Sequence, residues 1–207
     1  MRPRCISRAV LMAGAVSLAI PLVAPLPADA SVAIRVKKKR MQIRAGHRVA
    51  VVGSVQPRTA GVVASLQVHR RGKWRTIDRD RTSAGGRYRL RDRLRQPQSV
   101  RARVLVSGVG RPLGRLNVYR TANASWYGPG LYGNRLGCGG TLSPGRLGVA
   151  HKSLPCGSRL TLRRGARSVR VRVIDRGPYV SGREFDLTEA TARRLHFDGH
   201  GWILTTR

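Results

Sequence analysis

Val173-Ile174-Asp175-Arg176-Gly177-Pro178 is the stretch on which the reading of this chain turns. Just before it, Val169, Val171 and Val173 alternate with Arg170 and Arg172. That is the two-residue period of a strand with one apolar and one wet face. Gly177-Pro178 turns the chain at its end. Asp175 shares the parity of the valines, which predicts a carboxylate at the strand's end, directed toward the apolar side. Desolvation there raises a carboxyl pKa, as a general acid requires, whereas pairing with Arg176 acts in the opposite direction.

Moving outward, Thr188 is placed to cap a helix over residues 189–195. Glu189 suits its positive end, and Arg193 and Arg194 its negative end. Carboxylates are scarce in this half of the chain: Asp175, Glu184, Asp186, Glu189 and Asp198. Asp186 reads as a structural carboxylate, capping the helix or bonding the turn after Asp175. His151 is the histidine that falls outside both the tail and the N-terminal half. Trp126, Tyr127 and Tyr132 stand among glycines, an arrangement that suits a sugar-stacking groove, since flat rings match the apolar faces of pyranoses.

Residues 31–119 read as an all-β sandwich. Strand candidates lie at residues 48–55, 64–69, 74–77, 87–90, 99–106 and 116–119, most with apolar residues alternating with arginine. Trp74 and Tyr88 are expected in its core or a hairpin. A linker is expected at residues 120–123. Residues 1–30 carry Arg2, Arg4 and Arg8 before an apolar run, then Ala28-Asp29-Ala30. This predicts a cleaved secretory signal rather than a membrane anchor, because Pro21 and Pro25 interrupt the run.

Export makes the two remaining cysteines, Cys138 and Cys156, a predicted disulfide. No metal site and no cofactor are expected, since the histidines are scattered. The net charge is +32, and 36 of the 41 basic residues are arginine. Such a surface adsorbs polyanions; for an exported chain, anionic wall polymers or lipid headgroups are expected before nucleic acid.

Four ordered motifs carry a resemblance: Ala124-Ser125-Trp126-Tyr127-Gly128; Ala150-His151-Lys152 with Leu154-Pro155; Val171-x-Val173-x-Asp175-Arg176-Gly177-Pro178; and Gly182-Arg183 followed by Asp186-Leu187-Thr188. They resemble the rare lipoprotein A (RlpA) family, related to expansins and barwin. Residues 31–119 are similar to bacterial immunoglobulin-like repeats. The resemblance implies an all-β chain, an immunoglobulin-like sandwich followed at residues 124–207 by a six-stranded double-psi β-barrel with one short helix. It implies a secreted, wall-associated monomer acting on peptidoglycan, a lytic transglycosylase forming 1,6-anhydromuramic ends. His151 and Asp175 fall on the family's catalytic positions, and both are expected to line one groove. Lys152, Arg176 and Tyr179 join Trp126, Tyr127 and Tyr132 as substrate-binding candidates. Where members often carry Gly-Glu, this chain has Gly137-Cys138-Gly139. That departure supports the alternative, an expansin-like module that binds or loosens the wall without cleaving it.

Overall fold

The computed structural model describes residues 32–207, and they are almost wholly β. The expected signal segment and cleavage site lie outside the described residues. No helix among the described residues is long and apolar enough to cross a membrane.

The alternating runs form two sheets over one core. The first has strands β1 (Ala33–Arg40), β3 (Arg48–Gln56) and β6 (Arg87–Arg93). The second joins β5 (Lys73–Arg81), β4 (Val63–Arg70), β7 (Gln98–Val106) and β8 (Val109–Tyr127), with β2 (Gln42–Arg44) beside β8. Val49 and Val51 of β3, Leu66 of β4, Leu90 of β6, Val104 of β7 and Leu116 of β8 meet with no exposure to solvent. Each such side chain contributes about 1.5–3 kcal/mol on burial. Tyr88 is buried in this core, its hydroxyl donating to the Arg35 carbonyl at 3.3 Å. Trp74 lies on the β4–β5 hairpin instead, edge-on to His69 and under the Arg103 guanidinium. That hairpin turns through Arg71 and Gly72, both at positive φ (47° and 77°), the backbone that matches the twist of the paired strands.

The expected linker at residues 120–123 is instead the middle of β8, a 19-residue strand. These four residues pair with β13 (Gly201–Thr205) from Arg120↔Thr205 to Asn123↔Trp202, and Ala122 enters the second core. No Gly or Pro interrupts them, so the last strand of the sandwich continues as the first strand of the barrel.

The second core is enclosed by six strands: the C-terminal part of β8, β9 (Val149–His151), β10 (Arg159–Arg164), β11 (Arg167–Asp175), β12 (Phe185–Thr188) and β13. Their pairings close into a ring, β8–β12–β9–β11–β10–β13–β8, with β8–β12 and β9–β11 parallel. Val171 and Val173 point inside with Leu160, Leu162, Phe185 and Leu187, as the valine–arginine alternation predicts. Helix α1 (Glu189–Leu195) closes one side through Ala192 and Leu195. Thr188 is its N-cap, its hydroxyl accepting from the Thr191 amide. The Thr188 and Thr191 hydroxyls also accept from the Gly148 amide, at 3.2 and 3.0 Å, and so lock the helix onto the start of β9.

Candidate active site

Asp175 does not continue the inward parity of the valines. Val173 is opposite Val149 on β9, but the register then slips, and Asp175 is opposite Ala150. One extra residue, Ile174, is accommodated as a bulge, which re-aims the side chain after it. Ala150 is in turn opposite Asp186 on β12, and Asp186 is opposite Ser125 on β8. Paired residues share a face of the sheet. Asp175, Ala150, Asp186 and Ser125 therefore form one row on the barrel's outer face, while Val149, Leu187 and Phe185 line its core. Adjacent strands lie about 4.8 Å apart, which puts the two aspartate backbones roughly 10 Å apart with only the Ala150 methyl between them.

Both carboxylates are half-buried, and each is fixed differently. Asp175 Oδ1 accepts the Gly137 amide at 2.7 Å and the Arg176 amide at 2.8 Å. Asp186 Oδ1 accepts the Ser125 hydroxyl at 2.9 Å. Burial pushes the Asp186 carboxyl above the usual carboxylate range; the Asp175 charge adds to this, and Ser125 and Arg183 oppose it. Asp186 makes neither of the two bonds expected of it: Thr188 caps the helix, and Gly137 and Arg176 supply the amides at Asp175, while Asp186 ties β12 to Ser125 of β8.

Tyr127 belongs to the same face, opposite Thr188. Its buried hydroxyl meets no partner at full hydrogen-bond geometry among the described residues, and burial, followed by the charge and proximity of the Asp175 carboxylate and then the charge of Asp186, drives its pKa far above the ordinary phenol value. Tyr127 and Tyr132 pack on Leu136, Leu142 and Ile174, the small apolar cluster under the loop of residues 128–147. Trp126 faces the other way. It is opposite Leu187 and lines a depression of about 420 Å³ with Ala192, His196 and Phe197. The expected single groove of three aromatics is therefore split, because neighbours on a strand point to opposite faces.

His151 also lies apart from Asp175. It is opposite Phe185, the ring centroids 4.9 Å apart, and so shares the core side of β9. Its Nδ1 accepts the amides of Ser153 and Leu154 at 3.1 and 3.0 Å. The proton of the neutral ring is thereby placed on Nε2, 3.8 Å from Glu184. Burial lowers the imidazole pKa despite the Glu184 charge, and Arg120 and Arg176 add to the lowering. Glu184 is held at both oxygens by Arg120. In the sequence Glu184 was only one of five carboxylates of the C-terminal half; no local motif signals its link to Arg120, 64 positions away.

Cys138 and Cys156 form the predicted disulfide, with Cα atoms 5.5 Å apart. It ties the loop bearing Gly137 to the loop that caps His151. Arg176, expected to bind substrate, instead donates to the carbonyls of His151 and Leu154 at 3.0 and 2.7 Å and to Cys156 Sγ. Its guanidinium holds that second loop in place. Lys152 is exposed, and Tyr179 projects into solvent at 81% exposure. Among the described residues no group of three or more His, Cys, Asp or Glu side chains is placed to hold a metal ion.

Residues 119–205 match the family profile described as lytic transglycolase. The chain is 42% identical over 80 residues to the probable endolytic peptidoglycan transglycosylase RlpA of Synechocystis sp., covering 38% of this chain and 25% of that protein. It is 40% identical over 80 residues to the endolytic peptidoglycan transglycosylase RlpA of Campylobacter jejuni, covering 38% and 29%. It is 39% identical over 84 residues to that of Neisseria meningitidis, covering 40% and 35%. The chain thus spans about a quarter to a third of the length of these relatives.

Proposed function

We propose, on the premise that residues 119–205 are an RlpA-like double-psi β-barrel, that this chain is exported and cleaves peptidoglycan glycan strands by transglycosylation at the Asp175–Asp186 row. The observation that carries the reading is the row itself: two half-buried carboxylates on one face with only Ala150 between them, Asp186 being the one that burial shifts upward. A protonated Asp186 gives its proton to the glycosidic oxygen as the bond from that oxygen to the muramic C1 breaks. The muramic 6-hydroxyl then attacks C1 and returns its proton to Asp186. The products are a 1,6-anhydro end and a free hydroxyl end, and no water is consumed. One acid/base suffices for this cycle, whereas hydrolysis uses two carboxylates in distinct roles. Asp175, oriented by two amides, faces the positive charge that develops at C1. Tyr127 and Tyr132, packed beside the row on Ile174, and the exposed Lys152 and Tyr179 are assigned as substrate contacts. His151 acts here as a positioning residue, bracing the chain from Glu184 to Asp186 through Phe185.

A second reading, a wall-binding or wall-loosening module without cleavage, is favoured by one observation: Asp175 of β11 and His151 of β9 lie on opposite faces of the sheet. Purified protein incubated with peptidoglycan sacculi, followed by mass spectrometry of the released fragments, separates the two. Anhydro-muropeptides are expected, with Asp186→Asn and Asp175→Asn each lowering the rate by about 10²–10⁴. Absence of anhydro ends from the unaltered protein would sink the catalytic reading and leave the binding one. Product formation indifferent to both substitutions would sink the assignment of the row.

A further inference from the structure

Residues 93–174 contain no carboxylate at all. This stretch supplies β7, β8, β10 and β11 up to Asp175, the strands on which the sandwich and the barrel adjoin. The Ser99 hydroxyl of β7 meets that of Thr161 of β10 at 3.4 Å. Around this contact the arginines gather. Arg101 is directly opposite Arg115, and Arg159 directly opposite Arg172. Arg170 shares the face of Arg172, about 6.6 Å along the same strand. Arg115 is tethered to Ser99 at its carbonyl and hydroxyl, 3.2 and 3.4 Å. Arg101, Arg159, Arg170 and Arg172 are exposed. Arg159, Arg170 and Arg172 border a shallow depression of about 510 Å³ with Leu147.

Like charges directly opposite on neighbouring strands are unfavourable. Beside β6, carboxylates lie among the arginines: Asp78 and Asp80 of β5 sit against it and accept the backbone amides of Arg91 and Arg89. On the β7–β8–β10–β11 face nothing interrupts them. Arg115 and Arg170 carry the physical imprint, their guanidinium pKa values lowered first by burial and then by the neighbouring arginines. A composition-wide excess of arginine does not account for a carboxylate-free stretch of this length.

We propose that Arg101, Arg115, Arg159, Arg170 and Arg172 form a binding face for a linear, phosphodiester-linked wall polymer. Guanidinium forks match phosphate oxygens two at a time, and a sheet face presents them as an extended row. β7, β10 and β11 bear no aromatic residue, and the β8 aromatic nearest Arg115, Tyr119, is buried, so the face around these arginines lacks the stacking platforms with which proteins hold single-stranded nucleic acid. The inference goes beyond cleavage at the aspartate row and borrows from it only the choice of a wall polymer as probe.

The test is fluorescence anisotropy of the whole protein with labelled poly(glycerol phosphate) at a series of salt concentrations. Arg159→Gln, Arg170→Gln and Arg172→Gln together should weaken binding at least about tenfold. They should also reduce the slope of log affinity against log salt by about 2, at roughly 0.7 per lost phosphate contact. Lys at the same three positions should keep most of that slope. The charge-matched control, Arg87→Gln, Arg89→Gln and Arg91→Gln, should stay within about twofold of the unaltered protein. Equal losses in the two Gln triples, or a Lys triple no better than the Gln one, would overturn the proposal. Tighter binding of a single-stranded oligonucleotide or of phosphatidylglycerol vesicles than of the polymer, lost in the same Gln triple, would overturn the choice of polymer. Anhydro-muropeptide release by the Gln triple should be unchanged on wall material stripped of phosphodiester polymers, so failure here is distinguishable from failure of the cleavage reading.

Discussion

Replacing the disulfide by Cys138→Ser and Cys156→Ser tests how the active row is held. The bridge closes a loop of 18 residues. The chain-entropy relation gives a loss of roughly 10–11 cal/mol/K from the unfolded ensemble for such a loop, or about 3 kcal/mol at 25 °C. For a cooperative unit of this size that corresponds to a fall in melting temperature of roughly 6–12 °C. The loss is bounded because Leu136, Leu142 and Ile174 still anchor the loop. Its functional consequence is local. The Cys138 amide donates to the Ile174 carbonyl at 3.2 Å, and the neighbouring Gly137 amide to Asp175, so a looser loop leaves Asp175 less well aimed. Thermal and guanidinium unfolding of the double variant, beside the unaltered protein with and without reductant, measures the first effect. Release of anhydro ends well below the melting transition measures the second, and a several-fold loss is expected. An unfolding midpoint that neither the substitutions nor reductant moves would refute the reasoning. So would a variant destabilised as expected yet fully active, which would detach Asp175 from the bridge.

The imidazole predicts an acid-sensitive fold. Because its pKa in the folded protein lies below the ordinary value of about 6.5, the stabilisation it contributes is complete above that value and is lost as pH falls through the folded one. Melting curves from pH 7 downward should show this fall. His151→Asn, which keeps an acceptor near the Ser153 and Leu154 amides, should flatten it; an unchanged pH profile would contradict the assignment. Gly148→Ala places a Cβ 2.2 Å from Ile174 Cδ1 and 2.4 Å from its Cγ1, within the bulge that orients Asp175. Overpacking of this kind costs about 1–3 kcal/mol, and chemical denaturation showing no loss would mean the bulge yields freely.

Much of the fold was legible because its signals are local. The valine–arginine alternation is a property of one strand, Thr188 caps the helix that follows it immediately, and the two cysteines among the described residues leave one pairing. Reading by parity also forecast where Val171 and Val173 point. It failed two residues later, because a period of two holds only until a bulge, and the slip at Ile174 is visible only against Val149 and Ala150 of a partner strand. Trp126 and Tyr127 were grouped by closeness in the sequence, although the same period sends them to opposite faces. The linker expected at residues 120–123 vanished into β8, since nothing in four residues reports that β13, some eighty positions later, will pair with them.

The stretch Val173–Pro178 thus marked a strand and the carboxylate at its end by sequence alone, because backbone preference and hydrophobic period act within a few residues; the barrel followed from the resemblance its motif carries. Which groups stand beside that carboxylate is a matter of register among β8, β9, β11 and β12. Cross-strand hydrogen bonds and core packing set that register over long separations. Only the tertiary structure therefore decided that Asp175 shares its row with Asp186 while His151 turns to Glu184.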